Sequence, residues 1–150
     1  MLPPAPPKFK ISLFSSMFFD RRSTRISLDC ETTGLDTSRD EIFQLALVSR
    51  NLETQQKSTH NFFFKTTRPI PPLVSYLTGS QTADHADRGF FADHRDEILA
   101  LLPSDALFVG HNIRFDLDIL ATRLPDFQPK FSLDTFTLSQ QLVHFAPSYA

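Results

Sequence analysis

The chain has 150 residues, one cysteine, sixteen phenylalanines, no tryptophan and a formal net charge of −2 at pH 7. That length suits one domain, and the aromatic bulk can fill one substantial core. A single thiol excludes an intrachain disulfide and a cysteine-rich zinc centre, and the slight negative charge excludes strong nucleic-acid binding through a global basic field. No apolar run reaches the length of a membrane span. The lone cysteine, Cys30, fits a reducing compartment, and a cytoplasmic location is expected.

Residues 1–24 read as a Pro-rich, basic extension, with Pro3, Pro4, Pro6 and Pro7 at its tip. Residues 1–25 carry Lys8, Lys10, Arg21, Arg22 and Arg25 against one acid, Asp20. The apolar stretch Ile11–Phe19 imitates a signal peptide, but Asp20-Arg21-Arg22 follows at once without a small-residue cleavage pattern. The folded domain is therefore placed at residues 25–150.

Arg25–Asp29 is expected to form the first strand, Glu41–Arg50 the second and His60–Lys65 the third, with Phe62-Phe63-Phe64 at the centre of the last. Three strands with short polar connections predict an antiparallel meander. Arg68-Pro69-Ile70-Pro71-Pro72 then breaks the sheet, because proline cannot serve a central ladder. Helical spacing follows over Asp93–Leu102 through Ile98, Leu99, Leu101 and Leu102. Ala106–Gly110 is a continuously apolar strand, and Ile113–Leu124 an amphipathic helix. A last strand near Lys130–Leu133 leads into a helix over Asp134–Phe145, capped by Asp134. The order predicts an α/β fold, with a mixed sheet of three antiparallel strands followed by parallel ones and helices on its faces. Three of the four glycines, Gly34, Gly79 and Gly110, fall at junctions where positive φ or close backbone approach is expected.

Chemistry concentrates at two of those junctions. Asp29 and Glu31 lie two apart at the end of the first strand, on one face and about 6.5–7 Å apart along it. Two ionised carboxylates at that spacing repel by roughly 2–3 kcal/mol at an effective dielectric near 20. A divalent cation relieves this, and an all-oxygen donor set suits magnesium or manganese rather than zinc. The second junction is Gly110-His111-Asn112-Ile113-Arg114-Phe115-Asp116, from a strand into a helix. Asp116 also reads as an ordinary first-turn acid favoured by the helix dipole, with His111-Asn112 as polar capping groups. Ligands in open α/β sheets gather outside such strand ends.

Asp29-x-Glu31-Thr32-Thr33-Gly34-Leu35 resembles the first motif of the DnaQ-like, or DEDD, 3′–5′ exonuclease superfamily, and His111-Asn112-x-x-Phe115-Asp116 resembles its second. Asp40–Val48, Arg68-Pro69-Ile70-Pro71 and Leu77-Thr78-Gly79 agree with intermediate stretches, though Ser80 replaces an apolar residue after the last. The resemblance covers roughly Arg25 onward and is to the epsilon proofreading-subunit type. It implies an RNase H-like fold and metal-dependent phosphodiester hydrolysis at DNA 3′ ends, using two divalent cations, Mg2+ or Mn2+. Asp29, Glu31 and Asp116 are then the expected catalytic metal ligands. Thr32, Thr33, Gly34 and Leu35 are expected to position the terminal nucleotide, and His111, Asn112 and Phe115 to shape its pocket. Implied partners are a single-stranded or frayed DNA 3′ end and a DNA polymerase subunit.

One part of the family pattern is not found: no His-x-x-x-x-Asp pair, the third motif, follows Asp116. His144 lacks a matching aspartate before residue 150. The expectation is a C-terminally incomplete domain, a fragment of an active exonuclease whose isolated chain is nearly inactive and exposes an apolar sheet face. The alternatives are an inactive nucleic-acid-binding or polymerase-docking module of the same fold, and an RNA-directed exonuclease.

Overall fold

The computed structural model describes residues 23–143. Along β1 (Thr24–Thr32), Ile26, Leu28 and Cys30 are buried while Ser27 and Asp29 are exposed, as the period-two geometry of a strand requires. β2 (Ile42–Asn51) and β3 (Lys57–Phe63) complete the antiparallel meander, with Asp29 opposite Ala46 and Leu45 opposite Phe62. On the other side of β1 the pairing turns parallel. Ile26 lies opposite Phe108 of β4 (Leu107–Gly110), and Phe108 opposite Ser132 of β5 (Phe131–Asp134). The sheet order is β3-β2-β1-β4-β5, the expected mixed architecture.

Among the described residues four α-helices accompany it: α1 (Pro72–Thr78), α2 (Arg95–Ala100), α3 (Ile113–Arg123) and α4 (Thr135–Val143). α3 brings Ile113, Leu117, Ile119 and Leu120 into the core beside Ile26, Leu28 and Cys30. Phenylalanine does much of the filling. Phe43, Phe64 and Phe108 are fully buried, Phe64 meets Phe91 edge-on at 5.0 Å, and Phe108 meets Phe127 edge-on at 5.3 Å.

Several element boundaries differ from the sequence reading. β1 continues to Thr32, so Glu31 lies within the strand, and a bulge between Glu31 and Thr32 ends the ladder. β3 starts at Lys57 and ends at Phe63, because the β2–β3 turn is tighter than its polar composition suggests. The Asp93–Leu102 helix divides into a 3-10 turn at Phe91–His94 and the short α2. α1 was not anticipated: the prolines that stop the sheet also start a helix, with Pro72 in its first turn and Gly79 closing it at φ 76°. The expected helix end beyond residue 143 and the extension over 1–22 lie outside the described residues.

His85 was not singled out from the sequence. It is buried against the rings of Phe43 and Phe63, its Nδ1 has no hydrogen-bond partner among the described residues, and burial holds its pKa below the usual value.

Gly110 closes β4 under tight constraint. A Cβ there would sit 3.0 Å from the Leu28 carbonyl oxygen and 3.1 Å from Ile113 Cβ. Gly110→Ala is therefore expected to destabilise the fold by about 1–3 kcal/mol. Urea denaturation should show a lower midpoint at unchanged m-value; an unchanged midpoint would show that the strand end yields freely.

Candidate active site

β1 presents Asp29 and Glu31 on the sheet face opposite Ile26, Leu28 and Cys30, the first exposed and the second half-buried. The ladder between β1 and β4 spans only Arg25–Ser27 against Leu107–Val109. Beyond it the Cys30 amide needs another acceptor. Asp116, in the first turn of α3, supplies one: its Oδ1 accepts the Cys30 N–H at 2.8 Å, across 86 residues of sequence. Asp116 is thus anchored to the backbone of the residue lying between Asp29 and Glu31.

This carboxylate is only 5% exposed. Burial pushes its pKa up to about 6, the charge of Asp29 adds to the rise, and the Cys30 N–H bond opposes it. Glu31 is also raised, by burial first and Asp29 second. Asp29 is the common neighbour of both. The Cys30 thiol is pushed well above its usual value by burial and by the surrounding carboxylates, which excludes a reactive thiolate.

The loop after β1 is held by its own polar groups. Thr32 Oγ1 donates to the Gly34 carbonyl at 2.6 Å. Thr33 N donates to the Glu41 carbonyl at 2.9 Å, and Thr33 Oγ1 donates to Asp40 Oδ1 while accepting from Glu41 N. Asp40 Oδ2 accepts the Asp36 N–H, and a Cβ on Gly34 would come within 2.4 Å of that oxygen. Only glycine leaves room for the clamp. Leu35, at the loop tip, is 85% exposed. Arg68 pairs with Asp40 at 3.4 Å, and the Glu41 carboxylate accepts from Thr67 N, Thr67 Oγ1 and Arg68 N. Asp40, Glu41 and Arg68 therefore brace the loop. Sequence reasoning recorded their segments without giving them a role, and the available signal was a pair of acids eight and nine residues after Thr32, ahead of a strand.

The second junction folds differently from a simple helix cap. Asn112 adopts a left-handed φ of 57°, and its side chain makes no capping bond. Its N–H donates instead to Asp134 Oδ1 at 2.9 Å, and the same oxygen accepts the Phe136 N–H at 2.9 Å, so Asp134 caps α4 as expected. His111 is exposed, edge-on to Phe136 at 5.2 Å, with Nδ1 3.4 Å from Thr135 Oγ1. Phe115 is half-buried against the core. The structure thus gathers Asp29, Glu31 and Asp116 around Cys30, sets the Thr32–Leu35 loop directly after them, and leaves His111 and Asn112 where β4 ends. Among the described residues, no three His, Cys, Asp or Glu side chains converge as a ready-made metal cage.

The sheet face that carries Asp29 and Glu31 also holds, around Arg25 and Ser27, a hollow of about 430 Å3 lined by Val48, Leu107, Val109 and Leu133.

Comparison with known proteins settles the family. Residues 26–147 match the exonuclease family. The chain belongs to the DnaQ-like 3′–5′ exonuclease superfamily. One DnaQ-like relative, the 3′–5′ exonuclease DinG of Staphylococcus epidermidis, is 31% identical over 115 residues, covering 74% of this chain and 12% of that protein. A PolC-type DNA polymerase III of Mycoplasmopsis pulmonis is 28% identical over 150 residues, covering 95% of this chain and 10% of that protein. Among solved structures, the metal-free E. coli exonuclease I–single-stranded DNA complex shares the RNase H-like fold, with a TM-score of 0.71 at 19% identity, over 85% of this chain and 31% of that one. The chain spans about an eighth or less of the length of these two sequence relatives. Exonucleases of this DnaQ-like fold are metal-dependent. No helix among the described residues is long and apolar enough to cross a membrane.

Proposed function

We propose that residues 25–150 are a 3′–5′ exonuclease domain that hydrolyses phosphodiester bonds at single-stranded or frayed DNA 3′ ends, with residues 1–24 as an extension. The observation that carries this reading is the Asp116–Cys30 hydrogen bond, which joins the two motifs and sets three carboxylates around one strand end. The donor set fits a hard divalent cation. It is all oxygen, and the carboxyls of Asp116 and Glu31 are raised by burial first and further by the charge of Asp29, so a cation beside them would offset part of the cost of ionising them. Magnesium keeps several waters and binds through one or two carboxylates plus substrate phosphate, so it does not need three converged side chains.

Asp29, Glu31 and Asp116 would hold two Mg2+ or Mn2+ ions in this reading. Such a pair of ions stabilises the attacking and leaving oxygens of an in-line displacement. The chain's own residues do the positioning. The loop clamped by Asp40 keeps Thr32, Thr33 and Gly34 rigid and presents Leu35 to the terminal nucleotide. His111 and Asn112 bound the pocket, and Phe115 supports it from the core side. Likeness to a PolC-type polymerase supports a polymerase as partner, and the single buried thiol supports work in the cytoplasm.

The test is release of mononucleotides from a 5′-labelled single strand by the purified chain, with Mg2+ or Mn2+ and with EDTA. Stepwise shortening from the 3′ end that requires the metal supports the reading and overturns the expectation that the isolated chain is nearly inactive. The binding-module alternative draws on the observation that no three His, Cys, Asp or Glu side chains converge among the described residues. It requires metal-independent, salt-sensitive DNA binding and no shortening. A ribonucleotide strand shortened faster than its deoxy counterpart would instead favour RNA.

A further inference from the structure

A hollow of about 490 Å3 is lined by Ser38, Arg39 and Glu41 from the loop after β1 and by Phe90 and Phe91, and the two-motif site does not use it. Four cations, Arg39, Lys65, Arg95 and Arg123, line it against one carboxylate, Glu41. Glu41 is already occupied by donors from Thr67 and Arg68. Asp96 and Asp126 pair with Arg95. Arg123 gives one N–H to the Asp40 carbonyl and forms no ion pair among the described residues. Arg39 and Lys65 form no ion pair among the described residues. This is a local surplus of positive charge in a chain whose formal net charge is −2.

The hollow also carries an aromatic wall. Phe90 is 41% exposed, and Lys65 Nζ stands 5.9 Å from its ring centroid. The Lys65 N–H donates to the Gly89 carbonyl at 2.9 Å, which fastens this wall to the chain leaving β3. Cations beside an exposed ring form the combination that holds single-stranded nucleic acid, with charge on a phosphate and a ring against a base. The floor is linked to the nucleotide loop as well, since the Thr33 N–H donates to the Glu41 carbonyl and the Glu41 N–H donates to Thr33 Oγ1.

We propose that this hollow is a second contact for single-stranded DNA, in which Arg39, Lys65 and Arg123 hold a backbone phosphate and Phe90 stacks on a base. The contact rests on reading the chain as a nuclease domain, and it extends the footprint beyond the terminal nucleotide.

Binding of a labelled 16-nucleotide single strand to the full chain, in EDTA and over a range of salt, tests it apart from catalysis. Arg39→Gln with Lys65→Gln should weaken binding about tenfold and lower the salt slope by about 1.4, the loss of two phosphate contacts. Phe90→Ala should weaken binding about tenfold with the slope unchanged. Lys130→Gln, exposed just ahead of β5 at the strand end away from Asp29, serves as the charge control. Equal losses in the control and the double variant, or unchanged binding in both pocket variants at unchanged thermal stability, would overturn the proposal. So would competition by inorganic phosphate that is independent of strand length. Metal-dependent strand shortening with no pocket effect would leave the nuclease reading intact and remove only this contact.

Discussion

Asp29→Ala is expected to reduce metal-dependent nucleotide release by about a thousandfold or more, while leaving the chain folded. Asp29 is the carboxylate felt by both Asp116 and Glu31. In the proposed reading its removal takes away one of the three carboxylates that would hold the cations, and electrostatic stabilisation of developing charge is usually the largest single contribution to such chemistry. Its side chain is exposed on β1, so the core beneath Leu28 and Cys30 stays filled. Stability in EDTA should change by no more than about 0.5 kcal/mol. The Asp116 and Glu31 carboxyls should then ionise at lower pH, because a repelling neighbour has gone. Single-turnover strand shortening read beside thermal melting checks both halves. A variant within threefold of the parent rate would remove Asp29 from the machinery.

Asp116→Asn should separate stability from function in the opposite direction. The native carboxyl has its pKa raised to about 6 from an ordinary 3.8. The folded state therefore binds this proton more tightly than the unfolded state. Its contribution to stability is fully present below about pH 4 and is lost as pH rises through about 6. Asparagine carries no charge and retains an oxygen for the Cys30 N–H. In EDTA at pH 7 the variant should be more stable than the parent by about 1–3 kcal/mol, with the difference vanishing near pH 4. Adding Mg2+ should reverse the comparison. A ligand at a hundred times its dissociation constant stabilises the parent by about 2.7 kcal/mol, whereas the variant has lost a ligand and gains little. Paired urea titrations with and without metal, at pH 7 and pH 4.5, give the answer. A variant less stable than the parent in EDTA, with an undiminished response to Mg2+, would show that Asp116 serves only the fold.

The contrast between these variants shows what a linear reading can reach. The strands, their mixed pairing and the core face of α3 follow from periodicity, because the alternation of Ile26, Leu28 and Cys30 with Ser27 and Asp29 leaves one way to bury the apolar set. The closeness of Asp29 to Glu31 is equally local, set by strand geometry alone. Asp134 as a cap and the close fit of Gly34 against Asp40, six residues on, are short-range in the same sense. The first helical turn of Asp116 was legible too, but two meanings were open there, a dipole-compensating acid and a partner of Asp29.

Tertiary structure placed Asp116 against the end of β1. β4 stops pairing with β1 at Ser27, which leaves the Cys30 amide to be satisfied by a side chain from 86 residues away. No pattern within either segment specifies where the other's ladder ends. The same holds for Asp40, Glu41 and Arg68, which brace the nucleotide loop through contacts 7 to 28 residues apart. It holds as well for the basic hollow, whose cations come from the loop after β1, the end of β3, the start of α2 and the end of α3. By itself the sequence determined which faces are apolar and which residues carry charge, since those depend on neighbours two to four positions away. Which charges share a low-dielectric space, and so which pKa values move, depended on how the distant segments packed.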